Sequence, residues 1–261
     1  SSATLLSTLP TTTYPAWTSF LTARTPTEHG ITDLLTRQGP SYKLFPLHAS
    51  ARLAPTFLQV LTQLGLKVAS IGVPGTYPPE PSAGVCIAGF DSPGVDCVSV
   101  KGVYPRELYR TLQALGGWRF ATFNEQGHSH VADAQRALRL DLEAKEKTLL
   151  RLYELQRWDV FFLHLQASDT AGHHLWHTYD ASSPRHHSGL DRDLLPSIYR
   201  RLDQLIARLQ ERAPRNARWL ILSDHGMGGA SRTAIHLNRW LEAVGYLHFQ
   251  KARVSAPFQS L

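Results

Sequence analysis

Two short strings of the sequence set a carboxylate and an imidazole directly after an apolar run. Residues 159–165 (DVFFLHL) lead into Ser168-Asp169-Thr170-Ala171-Gly172-His173, and residues 219–222 (WLIL) lead into Ser223-Asp224-His225-Gly226. Mixed oxygen and nitrogen donors of this kind suit zinc or manganese. In open α/β sheets, ligands bind beyond the carboxyl ends of the strands, where both pairs would fall. One such pair is as readily an ordinary loop. Two, both behind apolar runs, form a pattern.

A third candidate lies near the start, in Thr11-Thr12-Thr13-Tyr14-Pro15-Ala16-Trp17. Pro15 suits the first turn of a helix whose apolar face includes Trp17, Phe20 and Leu21. Thr13 then sits at or just before the N-cap, close to free backbone N–H groups and the positive end of the helix dipole. A hydroxyl there, with its pKa lowered by a metal, is a sound nucleophile for phosphorus. A Thr that merely caps the helix would give the same local sequence.

The elements that must position these residues read as α/β with a largely parallel sheet. Residues 67–73 (KVASIGV) read as a buried strand, preceded by a helix carrying Leu53, Phe57, Leu61 and Leu64. Residues 159–165 are the clearest strand, behind an amphipathic stretch from about Ala132 to Leu155. Ile198, Leu202, Leu205, Ile206 and Leu209 fall on one helical stripe. Residues 219–222 are expected as a further strand. A last helix carries Leu237, Trp240, Leu241 and Val244, with Gly245 placed to end it. The Pro- and Gly-rich residues 74–94 read as an irregular loop. Residues 82–126 read as a cap or insertion within a single domain spanning 1–261.

Composition narrows the classes. With 261 residues, 43% hydrophobic and 18% charged, the chain is globular. The net charge of +6 fits an anionic substrate, but Lys and Arg are scattered, and neither an RNA-binding motif nor zinc-finger spacing occurs, so specific nucleic-acid binding is not expected. No stretch is apolar enough to span a bilayer. No signal pattern opens the chain, so the cytoplasm is the default location, with export left open because an upstream segment is expected. Cys86 and Cys97 are expected as buried free thiols, although a short loop could join them.

Taken together, the chain resembles the alkaline-phosphatase superfamily, and within it the type I phosphodiesterases and nucleotide pyrophosphatases. The resemblance is carried by residues 7–31 (STLPTTTYPAWTSFLTARTPTEHGI), 73–90 (VPGTYPPEP…GF), 161–180 (FFLHLQASDTAGHHLWHTYD), 199–206 (YRRLDQLI), 223–227 (SDHGM) and 236–247 (HLNRWLEAVGYL). It is weakest between about Lys101 and Arg157. It implies an alkaline-phosphatase-like fold and Thr13 as nucleophile, with Thr12 as runner-up. Asp169 and His173 would be ligands of one metal, and Asp224 and His225 of a second that Thr13 also touches. The ions implied are two divalent metals, Zn2+ or else Mn2+, clamping an in-line displacement on a small anionic phosphoester. A phospho-threonine would form and then be hydrolysed. The family has a further Asp ligand before the nucleophile and a final His ligand well downstream. Neither can be placed here, and His236 and His248 stand too close to Asp224-His225 to substitute, so a fragment of a longer enzyme is expected.

Other residues carry ordinary expectations. His29 reads as structural, His164 as a hydrogen-bonded core histidine, and Asp203 as a partner in a helix salt bridge. His174 is not expected as a ligand. His177 is a minor candidate for the substrate pocket, and His186 and His187 are expected to be solvated. Hydrolysis of a phosphodiester or pyrophosphate is the leading reading. Phosphomutase-type transfer is the alternative, although those relatives use Ser where this chain has Thr. A binding module with incomplete metal sites is the non-catalytic alternative. A sulfatase lacks support, because Thr13-Tyr14-Pro15-Ala16-Trp17 has neither the Cys or Ser nor the Arg that formylglycine formation needs.

Overall fold

The computed structural model describes residues 2–37, 39, 43–81, 85–94, 97–121 and 130–249. Its central sheet has four strands in the order β5-β4-β3-β6: β3 is Val68–Val73, β4 Val85–Ala88, β5 Val103–Tyr104 and β6 Val160–Leu163. β4, β3 and β6 run parallel, and β5 is an antiparallel edge on β4. This is the α/β architecture expected, with a mixed sheet. β3 is buried along its whole length, as a parallel strand covered on both faces should be.

Alternation along β6 shows how the faces are assigned. Val160 and Phe162 join Leu21, Leu58, Val68 and Val73 on one side, packed by α1 (Thr13–Thr22) and α3 (Phe57–Gln63). Phe161 and Leu163 join Ala69, Ile71, Ile87, Leu149 and Leu205 on the other. There the sheet meets α4 (Leu108–Ala114), α5 (His130–Tyr153) and α7 (Leu194–Arg212). α6 (Ala167–Tyr179) packs between α5 and α7 through Ala167, Ala171 and Leu175. Six residues of α7, from Leu194 to Leu209, are buried, each worth roughly 1.5–3 kcal/mol of apolar burial.

At Gly72 the register of β3 shifts. Its φ of +70° suits glycine, and a Cβ there would lie 2.8 Å from the Trp118 ring and 3.2 Å from the His164 carbonyl oxygen. This bulge brings the end of β3 against the end of β6.

Four sequence expectations change. Residues 219–222 form no strand: Leu220 and Ile221 stay 77% and 68% exposed, and no ladder takes them up. An apolar run needs a neighbouring strand edge to become a strand, and these residues meet none among the described residues. β4 and β5 fall inside the segment expected as a cap, so that segment supplies two strands of the sheet. β4 likewise interrupts the expected irregular loop, because Val85-Cys86-Ile87-Ala88 is apolar enough to be buried on both faces. Leu53 is exposed and lies before α3, which is capped by a Thr56–Gln59 box. Residues 82–84, 95–96 and 122–126 of the expected cap lie outside the described residues.

Several elements were not anticipated, among them α4, α6, α2 (Pro26–His29), opened by a Thr25–Glu28 capping box, and the hairpin of β1 (Leu35–Arg37) with β2 (Leu44–Pro46). After α7, residues 213–249 form an arm whose one helix, α8 (Leu237–Ala243), buries no residue. Among the described residues, no helix is long and apolar enough to cross a membrane.

Candidate active site

Thr13 is the first residue of α1, one place inside the helix, with Thr12 at the N-cap. Thr12 makes no side-chain cap bond, and no acidic residue occupies the first turn. The positive end of this ten-residue helix is therefore not neutralised by its own side chains. The expected alternative, a Thr13 spent on capping, does not occur.

Asp169 is the third residue of α6, directly beyond the carboxyl end of β6, and His173 follows one turn later. Their nearest side-chain atoms, Asp169 Oδ1 and His173 Nε2, are 3.5 Å apart. Asp224 and His225 come from the arm. A hydrogen bond of 2.5 Å from Ser7 Oγ to the Asp224 carbonyl oxygen holds that backbone in place. Met227 follows on the arm and packs over Gly172, where a Cβ would lie 2.6 Å from the Met227 methyl. Glycine inside a helix costs about 1 kcal/mol relative to alanine. Here it lets the arm approach α6 closely.

His225 is the junction of the two halves. Its Nδ1–H donates to the Gly226 carbonyl at 2.9 Å, leaving Nε2 with a lone pair. That Nε2 accepts from Thr13 Oγ1 at 3.4 Å, and lies 3.4 Å from Asp224 Oδ2 and 3.8 Å from Asp169 Oδ1. Thr12, the runner-up nucleophile, has an exposed side chain and no such contact. The five residues singled out from the sequence are thus linked by a chain of pairwise contacts through His225 and Asp169.

Asp169 Oδ1 and Asp224 Oδ2 are both buried without a hydrogen-bond partner. Burial pushes the Asp224 carboxyl above its ordinary range. His225 acts against this shift, and the Asp169 charge adds to it. Two buried carboxylate oxygens and an imidazole lone pair facing one another call for a cation. The donors suit a divalent ion in type. They stand in pairs: among the described residues, no three His, Cys, Asp or Glu side chains already converge on one point.

Around the site, the ordinary readings of several residues hold. His29 is fully buried; its Nδ1 accepts from the Ile31 N–H at 3.1 Å and its Nε2–H donates to Ser19 Oγ at 2.9 Å. His164 donates from Nδ1 to the Gly72 carbonyl at 3.1 Å and packs edge-on to Trp17, and burial lowers its pKa to about 4. Cys86 and Cys97 are free thiols; Cys86 is buried as expected, which raises it to about 12, whereas Cys97 is only half-buried. One reading changes: Asp203, expected in a helix salt bridge, is exposed on α7 and forms no ion pair among the described residues. A groove of about 370 Å3 on the arm, lined by residues from His236 to Phe249, contains none of the five site residues.

A family model described as type I phosphodiesterase / nucleotide pyrophosphatase matches residues 1–259. The chain belongs to that family. As a phosphodiesterase-family chain it has no match among curated proteins. It is similar in structure to phosphonoacetate hydrolase from Sinorhizobium meliloti 1021 in complex with phosphonoformate, at 17% identity and a TM-score of 0.41. The complex of the same hydrolase with phosphonoacetate gives 16% and 0.42. Each comparison covers 78% of this chain and 43% of the other, so the chain spans less than half the length of the solved structures it matches.

Sequence reasoning missed the residues that bring the arm to the candidate site. Ser7 carried no local signal. Gly172, an isolated glycine in a helical pattern, did hint at a close approach, and Met227 is what approaches.

Proposed function

We propose that this chain carries the catalytic residues of a metal-dependent hydrolase of phosphodiester or pyrophosphate bonds, with Thr13 as nucleophile. The supporting observation is the hydrogen bond from Thr13 Oγ1 to His225 Nε2, amid two buried carboxylate oxygens that lack partners. Family membership supports the reaction class.

Thr13 Oγ attacks phosphorus, its O–P bond forming as the bond to the leaving oxygen breaks in line. Losing its proton makes the hydroxyl an effective nucleophile. The open N-terminus of α1 supplies backbone N–H groups for a phosphoryl oxygen. Water then attacks phospho-Thr13 and restores the hydroxyl. Asp169 with His173, and Asp224 with His225, are the residues that would hold two divalent ions, Zn2+ or Mn2+. Such ions neutralise charge on the reacting oxygens and lower the pKa of the hydroxyl. Buried carboxylate oxygens without hydrogen-bond partners favour a cation over a purely organic site. The substrate is small and anionic, consistent with the net charge of +6.

The test is bound-metal analysis of protein purified without chelator, with bis-p-nitrophenyl phosphate turnover for wild type and Thr13→Ala. About two ions per chain, with turnover lost in the variant, is the expected result. Equal turnover in both proteins would overturn the assignment of Thr13. No metal uptake and no turnover after zinc addition would overturn the hydrolase reading of this chain.

A further inference from the structure

Residues 224–231 of the arm form a strap that follows α6. His225 Nε2 lies 3.8 Å from Asp169 Oδ1 in the first turn of the helix, and Met227 covers Gly172 about one turn on. Gly229 reaches the turn after the helix, where a Cβ would lie 2.7 Å from Ser183 Oγ and 2.9 Å from Ser183 Cβ. Side-chain carbons do not come that close, so the strap can lie here only with glycine at 229. Arg185 Nε then donates to the Ser231 carbonyl oxygen at 2.8 Å. Farther on, α8 buries no residue.

Both far-end contacts are made to the backbone of the strap, at Gly229 and at Ser231, so they set where the chain lies. A strap of this composition needs such fixing. At Gly226 and at Gly228 a Cβ would meet nothing within 4 Å, so packing does not hold the backbone there. Glycine also loses the most conformational freedom on being ordered. The near end is held by Ser7 Oγ on the Asp224 carbonyl oxygen. The far end meets a turn that is itself tied together. Its Ser183 is 7% exposed, the Ser182 N–H bonds Asp180 Oδ1 at 2.8 Å, and the His187 N–H bonds the His177 carbonyl oxygen at 3.2 Å.

We propose that Ser183 and Arg185 are positioning residues, which anchor the far end of the strap and so fix Asp224 and His225 opposite Asp169. Neither contact involves Thr13 or the four metal-type side chains; both act through the backbone of the arm. The purpose rests on the hydrolase reading, whereas the anchor itself does not. Arg185 is exposed, and a tie that served folding alone would leave metal affinity unchanged when cut. A tie that sets His225 makes metal affinity depend on residues at the other end of α6, as it does on the hydrogen-bond partners of metal ligands.

Four proteins test it: wild type, Arg185→Ala, Gly229→Ala, and Gly229→Ala combined with Ser183→Gly, which removes the two Ser183 atoms nearest the new Cβ. Hydrogen exchange of residues 224–231 in zinc-free protein should quicken about fivefold in each single variant, as expected for one lost hydrogen bond. Zinc affinity, from competition with a chelating dye, should fall about tenfold. The kcat for bis-p-nitrophenyl phosphate should fall about as far, with KM and the melting temperature unchanged. Adding Ser183→Gly should restore the Gly229→Ala protein towards wild type. Unchanged exchange in both single variants would overturn the anchor. Faster exchange with zinc affinity and kcat at wild-type values would overturn the positioning role. Faster exchange in a protein that neither binds zinc nor turns over the ester would overturn the hydrolase reading and keep the anchor.

Discussion

Helices α7 and α8 carry apolar stripes of the same kind, yet α7 buries six of its residues and α8 buries none. The same contrast separates the regions they belong to. Between Thr13 and Arg212, side chains close over both faces of the sheet and between α5, α6 and α7. From Ala213 to Phe249, Trp219, Leu220, Ile221, Ile235, Trp240 and Tyr246 all face outward. The candidate site is divided across this boundary, with Thr13, Asp169 and His173 on the packed body and Asp224 and His225 on the arm. Among the described residues, the points that hold the arm include Ser7 to Asp224, Thr13 to His225, Met227 over Gly172, Gly229 beside Ser183, and Arg185 to Ser231. The rigid half of the site is thus fixed by folding, and the other half by docking. A cation between them would strengthen that docking, because ligand binding stabilises whichever state holds it.

The largest effect should come from the arm's carboxylate. Asp224→Asn should lower turnover by at least about 10^3-fold. Without metal it should leave thermal stability equal or higher, because a carboxylate whose charge burial disfavours is removed. Kinetics and a melting curve check both halves. A large loss of stability would mean that Asp224 holds the fold together instead of serving the site.

Truncations compare the regions directly. Leu205→Ala, at 1% exposure in the core, should cost about 2–5 kcal/mol in denaturant unfolding. Trp240→Ala, at 57% exposure on α8, should change stability by no more than about 0.5 kcal/mol. Equal costs would erase the distinction between body and arm.

Stability should also depend on pH through the body's histidines. His164, lowered to about 4, and His29, also lowered by burial, are held neutral in the fold. The unfolded chain takes up their protons near pH 6.5, so stability present above that value is lost as pH falls towards 4. For His164 the loss is at most about 3 kcal/mol, and less to the extent that its partly exposed ring keeps solvent. Asp91, raised to about 6 by burial, contributes the opposite slope, losing stability as pH rises from about 4 through 6. His164→Phe should flatten the wild-type loss on acidification. An unchanged slope would remove His164 from the account.

Gly172→Ala should change stability little, a gain of up to about 1 kcal/mol in helix propensity being set against displacement of Met227. Turnover should nonetheless fall, because the displaced arm carries Asp224 and His225. A variant both more stable and fully active would show that the Met227 contact does not position the site.

The legibility of the sequence follows the same division. β3, β6, α5 and α7 were readable because tertiary burial agrees with their periodicity: β6 alternates faces and the α7 stripe is buried. The pairing of Asp169 with His173, and of Asp224 with His225, was readable as spacing behind apolar runs. Residues 219–222 misled because their composition is strand-like while their neighbours offer no edge. β4 was hidden among prolines and glycines that read as loop, although its four residues are all buried. The β1–β2 hairpin buries too little apolar surface to leave an alternating signal. Contacts such as Ser7 with Asp224, 217 residues apart, leave no local mark at all.

The central claim is that body and arm close one site around a cation. Hydrogen exchange of the arm amides, measured on the purified protein with zinc and after chelation, tests it most directly. Zinc should slow exchange across residues 223–229, and Asp169→Asn, a change made on the body, should abolish that protection. If the arm exchanges equally with and without metal, or if Asp169→Asn leaves its protection intact, the two halves do not form one site.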